Sequence, residues 1–165
     1  MDYKRLTSVK KSVYDHIETA INESEYTVGE GVGQVRFYDS YPEVDSEGKY
    51  LDLTIPALAI DFQRESAVKS ADLGHVKKYE FEFGIIVFGR SNFEREYLFS
   101  VIKDAVEDIT IPYVDYNDTV TITPIIGYLR VSLAFISPLR LETPGDLEKY
   151  KGMVSFTVTL LEDYE

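Results

Sequence analysis

The chain has 165 residues, no cysteine, and 29 acidic against 17 basic side chains, which gives a formal net charge of −12. This length suffices for one domain with a hydrophobic core but is too short for two ordinary ones. The lack of cysteine excludes a disulfide scaffold and thiolate metal sites. The negative charge argues against direct nucleic-acid binding, because that binding depends on cations that neutralise phosphates.

The N-terminal region predicts an amphipathic helix over residues 5–22. Apolar side chains recur there at spacings of three and four and form one stripe: Leu6, Val9, Val13, Ile17, Ala20 and Ile21. The same region carries a small basic patch, which either docks on an acidic partner or offsets the surrounding acid: Lys4, Arg5, Lys10 and Lys11. No apolar core follows these charges, which argues against a signal peptide, and no apolar run approaches the ~20 residues that span a bilayer.

Alternating apolar residues predict a mostly antiparallel sheet of about five strands. The candidate strands cover residues 34–38, 50–62 with a break at Pro56, 76–88, 120–126, 128–136 and 150–161. Residues 63–75 are polar and predict a loop or hairpin arm between two strong strands. With two amphipathic helices packed on the sheet, the sequence predicts a single α+β domain over residues 1–165.

The strand over residues 76–88 changes character along its length. One face is apolar throughout: Tyr79, Phe81, Phe83, Ile85 and Val87. The opposite face is polar at Lys78, Glu80 and Glu82, and becomes apolar at Ile86 and Phe88, past Gly84. The far end of this strand should therefore be covered on both sides, either by a second helix of the same chain or by a neighbouring copy. The sequence favours neither cover over the other.

A second helix follows this strand directly. Ser91 and Glu94 have the spacing of a capping box, and the helix should run to about Asp108 before an extended tail that contains Pro112. The next two candidate strands are separated by a bend at Gly127. In the second of them, the inward positions are Leu129, Val131, Leu133 and Phe135.

Candidate catalytic and ligand-binding residues are sparse. His16 adjoins Asp15 on a helix, where neighbours point apart, and His75 opens a strand beside lysines; no G-x-S-x-G motif is present. Residues 115–119 open like a calcium loop, but Val120 and Ile126 replace the glycine and glutamate that such a loop requires.

Two further groups also have simpler interpretations. Glu80 and Glu82 fit a charged outer face or an intersubunit salt bridge better than an acid–base pair. Gly29, Gly31 and Gly33 have no following lysine and are not a phosphate-binding loop. The sequence therefore predicts that the protein is not an enzyme and has no cofactor or metal site.

The order of elements resembles the tail terminator proteins of long-tailed bacteriophages. The resemblance is carried, after an amphipathic N-terminal helix, by the segments PALAIDF, ADLGHVKKYEFEFGIIVFG, SNFEREYLFSVIKDAVEDI, IPYVDYND and KGMVSFTVTLLE. It implies a homo-hexameric ring that stops polymerisation of the tail tube and joins it to the head connector. DNA would pass through the ring without specific binding, and the protein would belong to the virion neck after assembly in the host cytoplasm, away from any membrane.

The resemblance also suggests where partners bind. Arg64, Glu65 and Lys69 in the polar arm would contact the tail-tube protein or a neighbouring subunit, and Ile86 and Phe88 are candidate contacts on the central strand. Sheet edges at Pro56 and at the C-terminal strand would pair with a neighbour by strand addition.

Two alternative functions remain open. The first is that the chain is another neck or baseplate component of a phage or contractile injection machine. It also fits a small ligand-binding domain or enzyme, which requires a deep apolar pocket with convergent polar groups and a titratable residue of shifted pKa.

Overall fold

A computed structural model describes residues 3–69, 76–115, 125–139 and 145–163. The fold is α+β, with two helices and one curled sheet of seven strands. In chain order the elements are α1 (Tyr3–Asn22), β1 (Thr27–Val28), β2 (Gln34–Tyr38), β3 (Ala57–Lys69), β4 (Val76–Gly89), α2 (Asn92–Val106), β5 (Ile109–Val114), β6 (Ile125–Pro138), a 3-10 turn (Asp146–Glu148) and β7 (Tyr150–Asp163).

The sheet is mixed rather than simply antiparallel. Its strand order is β1-β2-β3-β4-β7-β6-β5, with β1, β2 and β3 parallel and every later pair antiparallel. The expected count of about five strands was therefore too low. Two strands were not predicted. β1 has only two residues, too few to show alternation, and β5 contains Pro112, so the sequence predicted an extended tail there and not a strand.

The two helices pack on one face of the sheet, and α1 contacts both of the terminal strands, β1 and β5. The predicted apolar stripe of α1 is confirmed, since Val9, Val13, Ile17 and Ile21 are buried. Phe81, Phe83 and Phe156 fill the centre of the core beneath the helices. The sheet thus curls around α1, and its other face, here called the outer face, points away from both helices.

The helix that begins after Ser91 is capped as predicted, with one difference. The Ser91 hydroxyl accepts a 3.1 Å hydrogen bond from the Glu94 N–H. The Glu94 carboxylate, however, accepts its backbone bond at 2.8 Å from Arg90, the residue before the cap. The helix ends at Val106 because Asp108 adopts a positive φ of 48°, and β5 begins immediately afterwards.

The far end of β4 is covered on both faces, as predicted, but by neither of the expected elements. Ile86 and Phe88 are 4% and 0% exposed in a second apolar cluster with Ala57 and Ala59. Partly buried side chains pack on that cluster from β2, β7 and the connection between β2 and β3: Tyr38, Tyr50, Leu53, Ile55 and Met153. We call residues 39–56 the cover segment. Because residues of the same chain cover this end of β4, the burial of Ile86 and Phe88 is no longer an argument for a neighbouring copy.

Three predictions for the strands need correction. Residues 50–56 belong to the cover segment, and β3 begins only at Ala57. Gly127 lies within one continuous strand, β6, opposite Tyr113, and does not separate two strands. The expected strand over residues 120–126 lies mostly outside the described residues. β5 is the actual partner of the first half of β6, and Pro112 is accommodated because β5 is an edge strand.

Phe135 points outward, contrary to the prediction from alternation. The ladder between β6 and β7 pairs Leu133 with Phe156 and then Phe135 with Ser155, so Ala134 is the extra residue of a β-bulge. A bulge shifts the phase by one residue. As a result Phe135 is 53% exposed, and Ile136 packs against the core instead.

Candidate functional site

A cleft lies between α1 and the β1–β2 edge of the sheet. This groove has a volume of about 840 Å³ and is lined by Leu6, Thr7, Lys10, Lys11, Tyr14, Val28, Gly29, Glu30, Arg36, Phe37, Tyr38 and Asp39. Half of the basic patch that the sequence indicated on α1, Lys10 and Lys11, therefore faces a real cleft. We call this cleft the α1 groove.

Most of the positive charge in the α1 groove is paired within the chain. Arg36 lies 3.0 Å from Asp52 and 3.3 Å from Glu30, and Lys11 lies 2.9 Å from Asp15. Within the described ranges no ion pair of 4.0 Å or less joins Lys10 to a carboxylate. The groove is large enough for an extended anionic segment. Its positive electrostatic potential is weak, however, because carboxylates of the same chain pair with Arg36 and Lys11.

Tyr14 forms the floor of the groove. Its ring stacks on Phe37 at a centroid distance of 4.1 Å, and its hydroxyl donates a 2.9 Å hydrogen bond to the Phe37 carbonyl. Burial, together with the nearby Glu18, Asp39 and Asp15 carboxylates, raises the pKa of Tyr14 to about 12. The phenol is therefore protonated at neutral pH, and its proton is already engaged by the backbone.

A smaller cavity of about 290 Å³ borders the glycine-rich turn after β1. The Gly31 N–H does not point to an empty cradle, because it donates a 2.6 Å hydrogen bond to Gln34 Oε1. Arg36 and Arg90 also line this cavity, but each is paired with a carboxylate of the chain. The arrangement supports the interpretation that the glycines form a turn and not a phosphate site.

A polar network fastens the cover segment to the sheet. Tyr50 donates a 2.5 Å hydrogen bond to Glu148, and the Tyr41 and Tyr50 hydroxyls are 2.9 Å apart. Lys151, 8% exposed, donates to the Tyr41 hydroxyl and lies over the Phe88 ring. Sequence reasoning missed this network because its partners are 98 and 110 residues apart along the chain, and no local pattern links them.

The polar arm is the outer part of the β3–β4 hairpin, and its strands pair from Phe62 with Phe83 to Lys69 with Lys77. It is not a free hairpin, since β7 pairs with β4 as far as Val76. A bulge at Gln63 places Arg64 opposite Glu82 and Glu65 opposite Phe81. The arm is thus the end of a three-stranded ladder, and among the described residues no strand pairs with its β3 side.

The predicted contact residues of the arm do not converge on one point. Arg64 forms an exposed ion pair with Glu82, and Glu65 is half-buried on the other side of the strand. Lys69 lies at the end of β3, opposite Lys77. Glu80 is paired with Lys78 of the same strand, so Glu80 and Glu82 both have partners within the chain.

Of the two histidines, the structure describes only His16. His16 is a structural residue, since its Nε2 lies 2.7 Å from the Ala105 carbonyl and joins α1 to α2. His75 and most of the calcium-like segment, residues 116–119, lie outside the described residues. Over the described ranges, no group of three or more His, Asp or Glu side chains could hold a metal ion, and neither helix is long and apolar enough to cross a membrane.

Comparison with known proteins adds no family assignment. No protein-family model and no curated protein matches this chain.

Proposed function

We propose that this protein is a structural component of a long-tailed phage virion, similar to tail terminators, and acts without catalysis. Copies of the chain assemble into a ring, six in number by the resemblance, that caps the tail tube and joins it to the head connector. The proposal combines the resemblance of the sequence with a fold whose exposed sheet offers contact surface at several places.

The observation that carries the proposal is the polar ladder at the end of β3, β4 and β7. Its outer face carries ion pairs between Arg64 and Glu82 and between Lys78 and Glu80. Pairs that solvent reaches, as it reaches both of these, add little to the stability of a single chain, typically below about 1 kcal/mol. They suit a surface that exchanges partners on assembly, because a neighbouring chain can take over either charge.

Within this proposal the arm contacts the adjoining tail-tube ring or the next subunit. Arg64 is exposed and Glu65 is half-buried there, and Lys69 lies at the tip of the same strand. Ile86 and Phe88 no longer belong to this set, since the cover segment buries them.

The charge distribution fits a ring through which DNA passes without sticking. The cover segment carries five carboxylates against one lysine: Asp39, Glu43, Asp45, Glu47 and Asp52, with Lys49. A wall of this sign repels phosphate at distances of about a Debye length, near 8 Å at physiological salt. We therefore place the cover segment toward the channel.

The decisive experiment mixes the purified protein with tail-tube protein and follows assembly by native mass spectrometry and negative-stain microscopy. A ring that caps tubes and stops their growth is expected. Arg64→Glu should weaken capping about tenfold through repulsion at the arm. Arg130→Glu, which changes an exposed arginine on β6, is the matched control and should cap normally.

Two results would argue for something else. A protein that stays monomeric with tube protein, and leaves tube growth unchanged, contradicts the proposal. Copurification with connector or baseplate protein in place of tube protein would favour another neck or baseplate role.

The α1 groove favours a second candidate, a ligand-binding module for an anionic segment. Its volume supports this alternative, as does Lys10, which no ion pair of 4.0 Å or less joins to a carboxylate in the described ranges. It predicts that Lys10→Glu abolishes binding of an acidic peptide while ring formation is unaffected, which isothermal titration and native mass spectrometry would test separately.

A further inference from the structure

Helix α1 seals both terminal strands of the sheet. At one end, Val114 of β5 donates its outward N–H to the Ser12 hydroxyl at 3.2 Å. Pro112, two residues earlier on the same side, has no N–H to offer. At the other end, Val28 of β1 donates to the Asn22 side-chain oxygen at 2.7 Å. Such blocking is how proteins prevent an edge from pairing with another chain.

Two other edges are not sealed in this way. β3 pairs with β2 only from Ala57 to Ala59, so residues 60–69 have a strand on one side only. β6 pairs with β5 only up to Val131, so residues 132–138 are likewise paired only with β7. Across the described ranges, no strand lies against either segment, and we call them the β3 edge and the β6 edge.

The backbone direction at the β3 edge follows from its one parallel neighbour. Arg36 donates to the Pro56 carbonyl and is in register with Ala57, so Leu58 presents its N–H toward β2. Backbone direction repeats every two residues, so the N–H and C=O groups of Leu58, Ile60 and Phe62 point to the same side, which at Ile60 and Phe62 has no neighbouring strand among the described residues. The bulge at Gln63 shifts the phase, and from there Glu65, Ala67 and Lys69 present their N–H and C=O groups outward.

The two open edges are complementary in direction and in place. β3 and β6 run in opposite directions, because three antiparallel pairings separate them. The β3 edge lies at the arm end of the sheet, whereas the β6 edge lies at the end where β4 finishes and β7 begins. If two copies lie side by side in the same orientation, β6 of one copy is therefore antiparallel to β3 of the next. The two strands are then shifted along their length by the same amount at every contact. Closing a sheet into a ring requires such a stagger at every junction.

We propose that the β6 edge of one copy pairs with the β3 edge of the next, head to tail, and so continues the sheet around the ring. This inference rests on the proposed function for the ring and adds the contact that builds it. A heterologous contact that closes on itself leaves no edge unsatisfied. In the opposite interpretation, the bulge at Gln63 and the charged residues of the β3 edge keep it in solvent as a protected edge.

A proline at Glu65 separates these interpretations. A proline removes an outward N–H, which an unpaired edge tolerates but an intermolecular ladder does not. Glu65→Ala is the matched control, because it removes the same side chain and keeps the N–H. With tail-tube protein present, Glu65→Pro should need a concentration about tenfold or more higher for half-assembly than Glu65→Ala, since the two variants both lack the carboxylate and differ at the backbone N–H.

Engineered disulfides test the contact without relying on the proline variant to fold. The chain has no cysteine, so introduced pairs report cleanly. Cysteine at Arg64 or Ser66, combined with cysteine at Ser132 or Phe135, should yield a ladder of linked copies on non-reducing gels for at least one pair. The same β3 cysteines combined with Thr110→Cys on the sealed β5 edge should give none.

The outcomes distinguish the two proposals. Failure of the natural chain to form a ring, alone or with tube protein, overturns the proposed function and this contact with it. A ring that forms normally from Glu65→Pro, and yields no ladder from any pair, overturns the edge contact alone.

Discussion

The hydroxyl of Tyr26 donates a 2.7 Å hydrogen bond to the buried carboxylate of Glu94, 68 residues away. Arg90 completes the cluster with a backbone bond of 2.8 Å and a guanidinium contact of 2.7 Å to the same carboxylate. One side chain thus ties the turn after α1 to the N-terminus of α2. It turns a local capping signal into a tertiary contact.

Replacement of Glu94 should therefore cost more than the loss of a cap. We expect Glu94→Gln to lower the free energy of unfolding by about 1–3 kcal/mol, because Arg90 and Tyr26 lose a charged acceptor in a buried place. Urea titration would measure the change. Glu96→Gln on the exposed side of α2 is the control and should change stability by less than about 0.5 kcal/mol.

The same cluster predicts a pH dependence. Burial raises the pKa of Glu94, but the hydrogen bonds from Arg90 and Tyr26 outweigh it and hold the pKa below the ordinary value of 4.5. A lowered folded-state pKa gives a stabilisation that is complete above the unfolded-state pKa and disappears as the pH falls through the folded-state one. The stability difference between the natural chain and Glu94→Gln should shrink below pH 4.5. A difference that stays constant under acid conditions would contradict this account.

The network beneath the cover segment gives a second prediction. Tyr50→Phe keeps the edge-on ring contact with Phe88, whose centroid is 5.7 Å away, but loses the bond to Glu148. We expect a loss of about 1 kcal/mol and faster amide hydrogen exchange in the cover segment. Tyr128→Phe, on an exposed tyrosine, should leave exchange unchanged. Equal exchange in both variants would show that the network does not hold the segment.

The bulge in β6 makes two phenylalanines of one sheet behave differently. Phe156→Ala empties a core position that is 1% exposed and should cost about 3–5 kcal/mol. Phe135→Ala changes a side chain that is 53% exposed and should cost no more than about 0.5 kcal/mol in the monomer. Thermal and urea unfolding would compare them, and similar losses for both would mean that the bulge is misplaced.

Close packing of α2 on β7 predicts the effect of one added methyl group. A Cβ at Gly152 would collide with the Phe99 ring and lie 3.1 Å from the Ser137 carbonyl. Gly152→Ala should therefore destabilise the protein by about 1–3 kcal/mol. At Gly145 no atom of the described residues lies within 4 Å of an added Cβ and the φ of −65° suits any residue, so Gly145→Ala should be neutral or slightly stabilising. A neutral Gly152→Ala would show that α2 does not pack this closely.

Local periodicity predicted burial reliably within regular helices and strands. The stripe of α1, the inward face of β4 and the alternation of β7 all appear in the structure as predicted. The Ser91 cap was also correct, because capping is decided within one turn of helix. These features depend on neighbours three or four residues away, and the sequence states those neighbours directly.

Phase and partner were harder to predict. One extra residue, Ala134, turned the side chain of Phe135 to the opposite face of the sheet, and no residue type identifies a bulge in the sequence. The candidate contact residues show the same limit. Ile86 and Phe88 were correctly recognised as needing a cover, but that cover is a segment without regular structure, held by partners far away in the chain.

The amino-acid sequence by itself was sufficient to establish an acidic α+β chain, the type of most of its major elements and the apolar face of those elements. Only the folded chain decided which strands are neighbours, that α1 contacts the sheet at β1 and β5, and that parts of β3 and β6 pair on one side only within the described ranges. The reason is that side-chain pattern is local, whereas strand pairing uses backbone groups that every residue but proline shares. Which of those groups remain unpaired can be known only when the whole sheet has been assembled.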